Sequence, residues 1–132
     1  MLSRFVNNVE PYCTFCLLRR INELENETPL HLFYQCESVE HVLDRFFGNL
    51  LGEGYIIRRQ DFFGHFNFDN NSKNKVLLTI CSLVRFYIWE QKLRKHLPIL
   101  NELTEFVRNE LELFKRISGR FLVLYINSGI VI

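Results

Sequence analysis

Apolar residues recur every three or four positions in three long segments of the chain, which is the period of one helix face. The first segment follows Ser38, a candidate N-cap, and ends at Gly52 and Gly54. Its apolar positions are Val42, Leu43, Phe46, Phe47 and Leu50. The pattern therefore predicts an amphipathic helix between these boundaries.

The second segment predicts a long helix over residues 73–95. Its main apolar stripe consists of Leu77, Ile80, Val84 and Ile88. Further apolar positions around that stripe are Leu78, Cys81, Leu83 and Phe86. A helix that is apolar on several sides is expected at the centre of a fold, buried on more than one side.

The third segment is opened by Pro98 and ended by Gly119, which predicts the last long helix. Its single apolar stripe consists of Leu100, Leu103, Val107, Leu111 and Phe114. The remaining stretch, 121–132, is apolar and rich in β-branched residues, and predicts either a strand or a segment packed on the helices.

Shorter elements are expected elsewhere. Thr28 and Pro29 carry the signals of a helix start, so residues 30–35 are predicted to form a short helix. Residues 17–27 are polar and acidic and predict an exposed loop, and 55–71 predict a loop with short irregular structure. The expected fold class is mainly α, with a small Cys3His zinc-binding lobe followed by a bundle of about four helices. The predicted regions are a zinc-binding segment (9–45), a helical region (46–118) and an apolar tail of unknown structure (119–132).

Four ligand-type residues fall in a C-x2-C-x14-H-x4-C pattern: Cys13, Cys16, His31 and Cys36. Zn(2+) binds thiolate and imidazole nitrogen tetrahedrally, and Cys3His sets are common in structural sites. The alternative is that these cysteines are ordinary buried residues. The clustering of four ligand-type residues within 24 positions favours zinc. Cys81 is predicted to lie in the core, and His41, His65 and His96 are predicted to be surface or hydrogen-bonded histidines.

The spacing of His31 and Cys36 also constrains the backbone. Residues five apart lie about 140° apart around a regular α-helix and cannot both face one ion. We therefore expect the helix to end before Cys36, so that this residue turns back towards His31.

Composition and charge limit the number of domains and the classes of partner to be expected. The chain has 132 residues, about one domain, with 16 basic and 15 acidic residues and a net charge of +1. No secretory signal or transmembrane segment is evident, so an intracellular location in the cytoplasm or nucleus is expected, with no membrane partner. In a reducing compartment a cysteine cluster indicates a metal site before disulfides.

Catalysis is not expected. Four protein ligands leave no position for an activated water. The chain contains no deaminase pattern, phosphate-binding loop or nucleophile motif, which also argues against a small-molecule substrate. The sequence predicts a binding or scaffolding protein and not an enzyme.

The pattern Cys13-x2-Cys16, Glu27-Thr28, His31-Leu32-Phe33-x2-Cys36 resembles the zinc-binding segment at the C-terminal end of reverse transcriptases from non-LTR (LINE-type) retrotransposons. The order of downstream features is similar, and the match covers roughly residues 9–118. The resemblance implies the same four ligands and a role near RNA or DNA. The chain departs from the family at Leu17, where glycine is frequent, and no polymerase signature is present.

A basic stretch on the second helix is the candidate nucleic-acid surface, since basic residues bind phosphate and aromatic rings stack on bases. The candidate residues are Lys92, Arg94, Lys95, Arg85 and Trp89. Arg19, Arg20, Arg58 and Arg59 are further candidates. The basic residues could instead complement the helix dipole or pair with the acidic helix that follows. Two partner classes remain open: RNA or single-stranded DNA, and proteins, among them other retroelement proteins.

Overall fold

A computed structural model of the chain describes residues 12–19 and 25–132. Helices form most of this part: α1 (Thr14–Leu18), a π-helical turn (His31–Gln35), α2 (Glu37–Leu51), α3 (Arg59–Phe63), α4 (Asn71–Arg94), α5 (Leu100–Ile117) and α6 (Gly119–Ser128). No β-strand forms among the described residues, where one isolated bridge joins Tyr12 and Asn26. The predicted mainly α class is confirmed.

Helix α4 is the centre of the fold, as its apolar pattern predicts. It packs against α3, α5, α6 and the π-helical turn. All four residues of its predicted stripe are fully buried, as is Cys81. The prediction for Leu78 and Phe86 is wrong: these side chains are 40% and 52% exposed. Phe86 still stacks on Phe106 of α5, with ring centroids 6.0 Å apart.

Helix α2 begins earlier than predicted. Cys36, and not Ser38, is its N-cap, because the Cys36 carbonyl accepts the backbone N–H groups of Val39 and Glu40. The helix ends at Gly52 as predicted, where φ is 124°, a conformation that favours glycine. Of its predicted apolar side, Leu43, Phe46 and Phe47 are buried and Val42 and Leu50 are partly buried.

The segment predicted as an irregular loop carries the short helix α3. Asp61 of α3 is buried, and its carboxylate accepts two hydrogen bonds from Arg58, of 2.9 and 3.1 Å. Phe62 packs edge-on against Phe47 of α2. These contacts hold the segment against the core, although its sequence has no periodic pattern.

Helix α5 confirms the prediction for the third segment, with Leu103, Val107 and Leu111 fully buried. Its first turn is fixed to α4 by Tyr87. The Tyr87 hydroxyl donates to Glu102 over 2.9 Å and accepts the Ile99 backbone N–H over 3.1 Å.

Most of the apolar tail is a helix, Gly119–Ser128. Ser118 ends α5 and caps α6 by accepting the Phe121 backbone N–H over 3.2 Å, and Gly129 follows α6 with a φ of 71°. Helix α6 packs on both α4 and α5. The strand alternative is therefore wrong, and the packed-segment alternative is confirmed. Packing on α4 outweighs the β preference of these residues, which depends on context.

Buried residues from all three predicted regions form one hydrophobic cluster. The predicted boundary at residue 45 falls inside α2. The Cys3His lobe is thus continuous with the helical bundle. None of the described helices combines the length and apolar character needed to span a lipid bilayer.

Candidate metal centre

Cys13, Cys16, His31 and Cys36 come together as one buried cluster. One donor atom from each lies within 4.8 Å of all the others. The Cys36 sulfur lies 3.8 Å from the Cys13 sulfur and 3.9 Å from the Cys16 sulfur. The Cys16 sulfur lies 3.5 Å from His31 Nε2. The set predicted from the sequence spacing therefore shares one small volume.

Three of the six donor pairs have distances that fit a single tetrahedral ion. An ion about 2.3 Å from sulfur and about 2.1 Å from imidazole nitrogen separates its sulfurs by about 3.8 Å and sulfur from nitrogen by about 3.6 Å. The measured sulfur pairs and the sulfur–nitrogen pair agree closely with this geometry. The four residues are compatible with a bound metal ion.

The first ligand pair is positioned by α1. Cys13 is the N-cap of this five-residue helix, and Cys16 lies within it. The Cys13 backbone N–H donates to the Glu25 carbonyl over 2.9 Å, which pairs the start of α1 with the segment leading to His31. One tight turn therefore directs both sulfurs to the same point.

The second ligand pair is positioned by the π-helical turn. Thr28 begins this short helix as predicted, since its hydroxyl accepts the His31 backbone N–H over 3.1 Å. The Cys36 backbone N–H then donates to the His31 carbonyl over 2.7 Å. A π turn closes between residues i and i+5, so it brings residues five apart onto one side. The predicted helix end before Cys36 is confirmed, and the turn that precedes it is a π turn, wider than the regular helical turn of the prediction.

The three sulfurs cannot all ionise easily without a cation. A hydrogen bond from Cys13 lowers the pKa of Cys36 to about 5, and the backbone N–H groups of Ser38 and Val39 act in the same direction. The same contact with Cys36 raises the pKa of Cys13, and burial raises the pKa of Cys16. A thiolate at Cys36 thus opposes ionisation of its neighbours, and a metal ion offsets that repulsion.

Glu27 connects the centre to the helical bundle. One carboxylate oxygen accepts both the backbone N–H and the hydroxyl of Thr14, each over 2.9 Å. The other oxygen forms an ion pair with Lys92 of α4. Burial favours a higher pKa for Glu27, but the bonds from Lys92 and Thr14 outweigh it and lower the pKa.

The predicted exposed loop is therefore wrong at Glu27, whose side chain is only 14% exposed. Its ion pair with α4 joins residues 65 positions apart, which no local pattern reveals. The sequence signal was the Glu27-x3-His31 part of the family resemblance. The acidic residue Glu23 of the same predicted loop lies outside the described residues.

Three of the five residues proposed for nucleic-acid contact make contacts with other elements of the fold. Lys92 pairs with Glu27 and lies 4.7 Å above the Trp89 ring. Trp89 stacks on Phe33 of the π-helical turn, with ring centroids 6.5 Å apart, and remains 42% exposed. Arg85 donates to the Phe62 carbonyl and so holds α3.

The other two proposed residues face outwards. The Arg94 side chain is 71% exposed, with Glu90 3.6 Å away, and Lys95 is exposed. Among the further candidates, Arg58 pairs with Asp61, Arg59 is exposed, Arg19 contacts Ser38, and Arg20 lies outside the described residues. The basic stretch is divided between structural and exposed side chains.

The other candidate ligands lie away from the centre. Cys81 is fully buried in the core, as predicted, and burial raises the pKa of its thiol to about 12. His41, His65 and His96 are exposed, as predicted. Within the described part of the chain the cysteines are all free thiols.

No protein-family model matches the chain, and no curated protein or solved structure is significantly similar to it.

Proposed function

We propose that the cluster binds one structural Zn(2+) ion and that the chain is a non-catalytic binding domain. The agreement of the donor distances with a tetrahedral zinc site carries this proposal. Zinc with three thiolates and one neutral imidazole carries a net charge of −1. Four protein ligands fill the coordination sphere and leave no place for substrate or activated water. The proposed ion links α1 to the π-helical turn.

Metal analysis of the purified chain tests this proposal. We expect one zinc per chain, measured by native mass spectrometry and by elemental analysis. Refolding with a mixture of divalent ions should give the zinc form. A chain that carries no metal, or that prefers an iron–sulfur cluster, would contradict the proposal.

We further propose that the domain contributes to RNA or DNA binding, as in the C-terminal region of a non-LTR retrotransposon reverse transcriptase. The resemblance around Glu27 and His31 supports this role, and so does the exposed charge at the end of α4. Arg94 and Lys95 are the basic residues best placed to meet phosphate, with the half-exposed Trp89 ring nearby for a base.

Neutralising Arg94 and Lys95 should weaken binding to single-stranded RNA or DNA. We expect the Arg94→Gln/Lys95→Asn variant to lose affinity and to flatten the salt dependence, by about 0.7 in slope for each phosphate that is no longer neutralised. Asparagine suits the positive φ of 53° at Lys95. Fluorescence anisotropy at several salt concentrations measures both quantities.

The matched control is Arg45→Gln, which removes an exposed charge from α2. It should leave the salt slope unchanged. Equal losses in the control and the α4 variant would show non-specific attraction, and no binding by the wild type at low salt would contradict a nucleic-acid role.

A second candidate is a protein-interaction scaffold, which is favoured by the outer face of α6. Leu122, Val123 and Ile126 on this face are 39%, 57% and 67% exposed. Arg120 is the only charged residue in α6. An apolar face of this kind is typical of a surface that another protein covers.

If α6 mediates self-association, Ile126→Glu should dissociate the complex into monomers. Because the side chain is exposed, the substitution should change the free energy of unfolding by no more than about 0.5 kcal/mol. Analytical ultracentrifugation measures the association state, with Ile56→Glu, an equally exposed position outside α6, as the control. A wild-type chain that stays monomeric at high concentration would contradict self-association.

A further inference from the structure

A continuous set of contacts leads from the metal centre to the basic end of α4. Thr14 follows the ligand Cys13 and gives both its donors to Glu27. Glu27 pairs with Lys92, which is only 24% exposed despite its charge. Lys92 in turn covers one face of Trp89. Each step is a direct contact between side chains or between a side chain and the backbone.

A second set of contacts connects the metal centre to the basic end of α4. Phe33 lies in the π-helical turn between the ligands His31 and Cys36, and its ring stacks on Trp89. The π-helical turn also packs directly on α4. Trp89 and Lys92 are therefore fixed from both ligand-bearing elements, α1 through Glu27 and the π-helical turn through Phe33.

We infer that Glu27 is a positioning residue that couples metal binding to the basic end of α4, holding Lys92 and Trp89 in place while the ion is bound. The inference rests on the proposed zinc site. It adds a role for a residue that is not a ligand, and it implies that the surface near Arg94 and Lys95 depends on metal occupancy.

The coupling has a simple physical basis. Helix α1 has five residues, too few to be stable without outside support. Binding of Cys13 and Cys16 to an ion supplies that support and keeps the Thr14 N–H directed at Glu27. A carboxylate that receives these bonds is held at the position where it meets Lys92. Glu27 in turn stabilises α1, which carries Cys13 and Cys16. Loss of the Glu27 carboxylate should therefore weaken metal binding.

The zinc-bound Glu27→Gln variant tests this inference. We expect its zinc affinity to fall by about tenfold, the lower end of the range for residues that orient metal ligands. Competition with a chromogenic chelator measures the affinity. A residue with only a general stabilising role would lower the thermal midpoint and leave zinc affinity unchanged.

Two further measurements on the zinc-bound protein report on Trp89 and Lys92. Trp89 is the only tryptophan in the chain, so intrinsic tryptophan fluorescence reports its surroundings alone. The rate of Lys92 acylation, measured by mass spectrometry, reports whether its amine is held by Glu27. In Glu27→Gln we expect a shifted emission maximum and faster acylation of Lys92, with no change at the exposed Lys95.

Substitutions at Lys92 separate charge from packing. Lys92→Met keeps most of the side-chain volume but removes the ion pair, and should lower zinc affinity as Glu27→Gln does. Lys92→Arg keeps the charge and should restore near wild-type affinity. Far-UV circular dichroism confirms that each variant retains its helices.

The outcomes separate this inference from the zinc proposal. A wild-type chain that takes up no zinc would overturn the proposed function. A wild-type chain that binds zinc, beside a Glu27→Gln variant with the same affinity, emission and Lys92 acylation rate, would overturn the coupling alone.

Discussion

The Cys36→Ser variant is expected to lose its zinc and to unfold around the metal centre. Structural zinc contributes an apparent binding free energy of about 10–16 kcal/mol, which is folding free energy wherever the site does not preform. Cys36 lies between the π-helical turn and α2, so loss of its sulfur removes the attachment of both elements to the proposed ion. Metal content, far-UV circular dichroism and the thermal midpoint measure the loss.

Cys81→Ser is the matched control, because Cys81 is equally buried but lies in α4, away from the cluster. It should keep one zinc per chain while losing about 1–3 kcal/mol of stability, the cost of a buried hydroxyl. Full zinc occupancy in Cys36→Ser, or a wild-type chain whose circular dichroism ignores a strong chelator, would contradict a structural zinc site.

The Phe47→Ala variant is expected to lose about 3–5 kcal/mol of unfolding free energy, the usual cost of deleting a fully buried ring. Phe47 packs edge-on against Phe46 of its own helix and against Phe62 of α3. Its removal leaves a cavity where α2 meets α3. Urea denaturation followed by circular dichroism measures the change, with zinc content checked at each step.

Leu93→Ala provides the comparison, since this α4 side chain is 61% exposed. Its free energy of unfolding should change by no more than about 0.5 kcal/mol. Equal effects at Phe47 and Leu93 would mean that the cavity between α2 and α3 is filled by rearrangement, contrary to the packing described.

The Cys3His cluster could be predicted because its evidence is local. Sequence spacing alone placed Cys13 and Cys16 in one turn and required a break between His31 and Cys36. The apolar stripes of the helices could be predicted equally well, because apolar residues recur along each segment with the period of a helix. The buried face of α5, for example, agrees with its predicted stripe at Leu103, Val107 and Leu111.

Features that depend on distant partners could not be predicted in this way. The residues of 121–132 favour strands by their own preferences, but the cap at Ser118 and packing on α4 place Gly119–Ser128 in a helix. The sequence predicts nucleic acid or the acidic helix that follows as the partner of Lys92, but its partner is Glu27, which lies far along the chain. The π-helical turn lets His31 and Cys36 face the same cluster, but no residue preference in the sequence predicts it.

The position of α6 in the chain has a consequence for synthesis on the ribosome. All four ligands precede residue 37, but the helix that covers α4 ends about 90 residues later. At translation rates of about 5–20 residues per second, roughly 5–20 s separate the two events. During that interval the four side chains of the Cys3His cluster are already part of the nascent chain, while α4 still exposes the side that α6 will cover.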